Sequence, residues 1–190
     1  MSIFLDVWAH RVETLAKLSP GAFDRIVAFE PSSRCRETLR TQAKRLGAEV
    51  CDFGWFDRTC EIPLYHSGEV GATIFQEKSP NEFTQGGETE TCRFVEAASW
   101  LAESIPSTEV EIYLKLNVEG AEVAILRNLA EQGALRAGLE IALDWDILKV
   151  PGREKYVERL LQMYPMIRKH LVSDEWSSNY PQVLQRWGIM

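Results

Sequence analysis

Short apolar runs bounded by turn residues alternate with amphipathic stretches along this chain, and that alternation constrains the fold more than any other feature. Ile3–Val7, Arg25–Glu30, Val50–Phe53, Glu111–Val118 and Leu139–Asp144 read as buried strands. Between them, Ala9–Leu18, Ser33–Leu46, Gly120–Gln132 and Glu154–Tyr164 carry apolar residues at helical spacing. Ser19-Pro20-Gly21, Gly47, Gly133 and Pro165 supply the stops. Parallel strands joined by right-handed helical crossovers give a doubly wound α/β fold, a mainly parallel sheet with helices on both faces. Ligands of such sheets bind outside the carboxyl ends of the strands, where the strand order reverses.

The middle of the chain departs from the alternation. Glu61–His66 and Ala72–Phe75 flank Ser67-Gly68, a pattern for a hairpin at a sheet edge, where Pro63 is tolerated. Lys78–Glu90 is polar and Gly-rich and reads as a mobile loop. A further strand at Cys92–Ala97 leads into a helix through Trp100 and Leu101. Ile167–Val172 suits a last strand, and Pro181–Trp187 a short amphipathic helix. No repeat or interdomain linker interrupts the 190 residues, so residues 1–190 are expected to form one domain with a hairpin and loop insertion near 60–92.

Composition narrows the partners. At a net charge of −7, binding to nucleic acid requires a basic patch working against the overall field. Arg34, Arg36, Arg40, Lys44 and Arg45 form a basic stripe on one predicted helix, for which a solvated face is the simpler reading. No apolar run approaches membrane-spanning length, and no signal peptide is evident. Cys35, Cys51, Cys60 and Cys92 form no C-x-x-C pair and read as reduced thiols. A cytoplasmic protein with a small-molecule substrate, and with neither nucleic acid nor membrane as partner, is the expectation.

Several strands end in a polar group at one edge: Asp6, Glu30, Asp52, Asn117 with Glu119 beyond it, then Asp144 and Asp146. Together they describe an acid-rimmed cleft. Glu30 stands out, because an acid closing the second strand about twenty residues after the first βα turn is placed to accept hydrogen bonds from both ribose hydroxyls. The same position also suits an acid at the start of the helix that follows. No pair among His10, His66 and His170 has metal-ligand spacing, so no metal site is expected. His66 and Asp144 are the candidate catalytic groups, His66 as general base toward a hydroxyl. The catalytic residue stays open.

Two segments carry a family resemblance. Phe29-Glu30-Pro31-Ser32, followed by Lys115-Leu116-Asn117-Val118-Glu119-Gly120-Ala121-Glu122, resembles the signatures of the FkbM family of S-adenosylmethionine (SAM) methyltransferases. Leu64–Gly68 and Asp144–Pro151 are similar to segments of one branch of that family. The resemblance implies a Rossmann-like class I fold and a SAM-dependent O-methyltransferase acting on a sugar or secondary metabolite. It implies cofactor-binding roles at Asp6, Glu30 and Asn117, and Trp8, Pro31, Asp52 and Glu119 are further cofactor-binding candidates. The family places D-x-G-x-x-x-G after the first strand; here Trp8 and Val12 replace both glycines. An indole then stands where the methionine moiety of SAM should lie. A SAM-free alternative therefore stays open: a pseudoenzyme, binding module or repurposed enzyme on the same fold.

Overall fold

A computed structural model describes residues 1–11, 13–78 and 87–188. Its central sheet has six strands, all parallel: β1 (Ser2–Val7), β2 (Arg25–Phe29), β3 (Glu49–Cys51), β7 (Glu111–Leu116), β8 (Leu139–Leu143) and β9 (Leu171–Ser173). Their order is β3-β2-β1-β7-β8-β9. The chain winds outward from β1 to β3 and then returns to the other side of β1. The order therefore reverses between β1 and β7, the crevice in which open α/β sheets bind ligands. Ser2 to Val7 pair residue for residue with Glu111 to Leu116, so both strands end level at that crevice.

Alternation along β1 divides the core. Ile3, Leu5 and Val7 face a cluster built with α2 (Ala97–Ser104) and α3 (Glu122–Glu131). Phe4 faces the opposite cluster with Leu39 of α1 (Ser33–Leu46) and Trp176 and Leu184 of α6 (Trp176–Arg186). In α1, Cys35, Leu39 and Ala43 repeat at a spacing of four and form its buried stripe. Ser32 caps it by accepting from the Arg34 amide, and Gly47 closes it at φ 65°. The remaining helices are α4 (Glu154–Met163) and the single turn α5 (Ile167–His170). Among the described residues, no helix is long and apolar enough to cross a membrane.

Three expected elements differ. The helix expected over Ala9–Leu18 is reduced to one 3-10 turn, Leu15–Lys17. Trp8 and His10 have φ of 61° and 54°, which no right-handed helix can start from. Arg45 donates to the carbonyls of Leu15 and Leu18 and ties this turn to α1. The hairpin across Ser67-Gly68 survives only as one antiparallel bridge, Tyr65–Thr73. Its first arm, β5 (Cys60–Leu64), pairs instead with β6 (Glu90–Glu96), which also pairs with β4 (Gly54–Phe56) in a separate three-stranded sheet. Pro63 does sit on an edge strand of that sheet. Ile167–Val172 splits into α5 and the start of β9, and His170 meets the Leu139 carbonyl at 2.9 Å. Of the loop expected over Lys78–Glu90, residues 79–86 lie outside the described residues.

Gly54 packs tightly against its partner Phe94 within the three-stranded sheet and against the turn after β1. A Cβ there would fall 2.6 Å from the Phe94 ring and 3.2 Å from Trp8 Nε1. Phe94 is fully buried and has nowhere to retreat. Gly54→Ala should therefore destabilise the chain by about 1–3 kcal/mol, the usual cost of overpacking. Urea unfolding at fixed pH measures it, and an unchanged midpoint would mean that the Phe94 ring can move.

Candidate functional site at the carboxyl edge

A cavity of about 160 Å³ opens at the β1/β7 crevice. Strand ends, the turn after β1, the start of α1 and the segment Gly68–Ala72 enclose it. Glu30, Asn117, Glu119 and Trp8 are on its wall, so the structure gathers residues from both motif segments and from the altered turn.

Glu30 is 4% exposed and shares out its two oxygens. One accepts from the His10 amide at 2.7 Å, the other from the Ser32 amide at 2.8 Å. This one carboxylate lines the cleft and ties the start of α1. Burial pushes its pKa up, the two amides and the charges of His10 and Lys115 pull it back, and it settles at about 7. His10 Nδ1 is 2.7 Å from Glu13. Burial disfavours the imidazolium, but Cys35 and Glu13 beside it overcome that and raise its pKa to about 10.

The turn after β1 takes a left-handed path at Trp8, a non-glycine residue. Its indole is 6% exposed and packs against Phe94 at 5.9 Å between ring centroids. Nε1 is buried without a hydrogen-bond partner among the described residues. Three contacts hold this backbone: Ala9 N–H to the Phe29 carbonyl at 2.9 Å, Lys115 Nζ to the Trp8 carbonyl at 3.1 Å, and the His10 amide to Glu30. Asp6 is fully buried and pairs with Lys115 at 2.8 Å as opposed charges without hydrogen-bond geometry. It lies behind the cavity wall rather than on it. Val12 lies outside the described residues.

The second motif is bound together by its acids. Glu122, fully buried at the start of α3, accepts from the amides of Gly120 at 2.9 Å and Ile147 at 3.0 Å. Burial and the nearby Asp146 charge raise its pKa to about 8. Glu119, at φ 50°, is raised by burial and Asp146, while its ion pair with the buried Lys78 opposes the shift. Thr73 donates to the Glu119 carbonyl at 2.7 Å, and the Phe75 ring covers Gly120, where a Cβ would lie 2.8 Å from it. The chain from Tyr65 to Lys78 thus straps across the motif. Ser67 fixes its other end by donating to Glu90 at 2.6 Å.

Other expected site residues lie elsewhere. Pro31 is buried beside Glu30 but does not line the cavity. Asp52 is exposed and pairs with Arg36 at 3.6 Å. Asp144 bridges to Glu175, and His66, at φ 57°, has a buried Nδ1; neither lines the cavity. On α1, Arg34 pairs with Glu88, Arg36 with Asp52, and Arg45 caps backbone carbonyls. All four cysteines are free thiols, and no group of acids, histidines and cysteines among the described residues has metal-site geometry.

Among the wall residues that sequence reasoning missed, three bear most on the geometry. His10 entered only as a histidine without a metal partner, Lys115 only as a motif letter, and Trp176 of α6 not at all. Lys115 was within reach, since a lysine inside an apolar parallel strand demands a buried acid, and Asp6 sits directly opposite it in register. No protein-family model, curated protein or solved structure matches the chain.

Proposed function

We propose that this chain is an FkbM-like, SAM-dependent methyltransferase acting on a hydroxyl of a small molecule. One observation carries the reading: Glu30 from the first motif segment and Asn117 and Glu119 from the second meet on one cavity at the reversal of strand order. When bound, SAM supplies an electrophilic methyl group for in-line displacement at its sulfonium, and the protein's task is chiefly to position the reactants and exclude water. The strap from Tyr65 to Lys78 suits water exclusion. The reduced thiols suit a cytoplasmic setting.

The whole cofactor does not fit with Trp8 where it stands. Sites for small molecules and cofactors span roughly 300–1,000 Å³, and this cavity offers about 160 Å³. That observation favours a second reading, a SAM-free binding module on the same fold. Calorimetric titration with SAM and with S-adenosylhomocysteine separates the two. The methyltransferase reading expects saturable but weak binding, with Kd above about 1 μM and ΔG less favourable than about −8 kcal/mol. Absence of binding by both at millimolar concentration would overturn it in favour of the second.

A further inference from the structure

We propose that the Trp8–His10 turn is a gate on the carboxyl-edge cleft, latched shut by the Glu30 carboxylate and released when that carboxylate lets go of the His10 amide. The inference deepens the reading of this cleft as a ligand site and rests on it.

The turn is held away from its preferred conformation. Trp8 and His10, at φ 61° and 54°, are two non-glycine residues in the left-handed region within three positions. Such residues persist only where surrounding contacts over-determine them. The indole is also imperfectly housed, since burial strips Nε1 of water and supplies no acceptor among the described residues. Against this stand the three tethers, from Phe29, Lys115 and Glu30. The Phe29 and Lys115 tethers cannot be withdrawn easily. One is a strand carbonyl, and the other is a lysine fixed between Asp6 and the Trp8 carbonyl. Glu30 is different. It reaches His10 through one carboxylate oxygen, it borders the cleft, and any ligand donating hydroxyls to it competes directly with the His10 amide.

Protonation of Glu30 offers the same release without a ligand. The groups around it are His10 and Glu13 from the turn, Lys115 from β7, and Glu90 and Cys92 from β6. His10 holds its proton up to about pH 10. Cys92, raised by burial and by Glu90 and Glu30, stays neutral to about pH 12. Glu90 is held below the usual carboxylate range: burial works against it, and bonds from Ser67 and Ser33 prevail. Glu13 is ion-paired with His10. Cys35 of α1 also faces His10, and Glu30 is the group of this cluster brought close to neutrality, at about 7. A protonated carboxyl accepts an amide hydrogen bond far less strongly than a carboxylate. Lowering the pH should loosen the latch.

The test needs no ligand, so its outcome is independent of whether SAM binds. Uniformly ¹⁵N-labelled protein is titrated from about pH 8.5 to 5.5, following the His10 amide and the Trp8 indole Nε1–H by NMR. Both signals should move with one shared midpoint near 7. Exchange protection of the indole N–H, corrected for intrinsic pH dependence, should fall at least about tenfold across the range. Glu30→Gln should hold both signals at their low-pH positions throughout, with protection low at every pH. A His10 amide that titrates while the indole does not would leave a latch without a gate and overturn the proposal. So would an indole that stays protected across the range. The wild-type titration decides the matter even if Glu30→Gln fails to fold.

Discussion

Urea titrations of the wild-type chain should show stability falling as pH rises from about 5 to about 8, by at least about 3 kcal/mol. Glu122 sets the direction. Its ordinary pKa of 4.5 applies in the unfolded chain, and burial with the Asp146 charge raises it to about 8 in the fold. Between those values the folded chain keeps a proton that the unfolded chain has released, so each rise in pH favours unfolding. At about 1.4 kcal/mol per pKa unit, that single site contributes about 3 kcal/mol over this window.

Other groups act in the same sense over overlapping windows. Glu30, raised by burial to about 7, contributes from about 4.5 upward. His10, raised to about 10 by Cys35 and Glu13 against burial, contributes stability that is complete below its ordinary value of 6.5 and lost above it. Carboxylates held below their usual range, such as Glu49 beside Arg25, lose their contribution only in more acid solution. Glu122→Gln keeps the volume, removes the charge, and should make the fall in stability between pH 5 and 8 shallower. Stability that is level or rising between pH 5 and 8 would mean that Glu122 is ionised inside the fold, with a cation brought to it.

The sequence disclosed the sheet because its signals are local and redundant. Each of the five predicted strands pairs an apolar run with a nearby stop, and Gly47 closes α1 through its own left-handed conformation. Glu30 and Asn117 were legible as cleft residues because topology alone fixes where strand ends lie. The errors came where one local pattern supports two partners. Cys60–Leu64 has an edge strand's composition, and nothing in it chooses between a neighbour at Ala72–Phe75 and one at Glu90–Glu96. The turn after β1 was misread for another reason. Val12, Leu15 and Ala16 have helical spacing, whereas the tethers from Glu30, Lys115 and Phe29 come from residues 20 or more positions away. The course of the strap over Glu119 was equally hidden, since Lys78 and Thr73 acquire partners only in the fold.

Trp8→Gly should raise the affinity for SAM at least about tenfold over wild type, a gain of about 1.4 kcal/mol or more. The change empties the space that separates the 160 Å³ cavity from a full-sized site, and it puts glycine where φ is 61°. Stability should move less simply. Losing a packed indole beside Phe94 costs about 3–5 kcal/mol. Relief of the left-handed strain at Trp8 returns about 1–3 kcal/mol. Glycine's larger backbone entropy in the unfolded chain takes up to about 1 kcal/mol more. A net loss of about 0–5 kcal/mol follows, and saturating SAM should recover part of it through linkage. Adding Val12→Gly supplies the second glycine of the proposed cofactor loop and should improve binding further. Calorimetry on all three forms, with thermal melts to confirm folding, reads the result directly. Micromolar or tighter binding by the wild type would mean that the indole already leaves the cleft when cofactor arrives, so that Trp8→Gly adds little. If instead every form folds and none binds, the cleft has lost more of the cofactor site than its glycines, and the SAM-free reading stands.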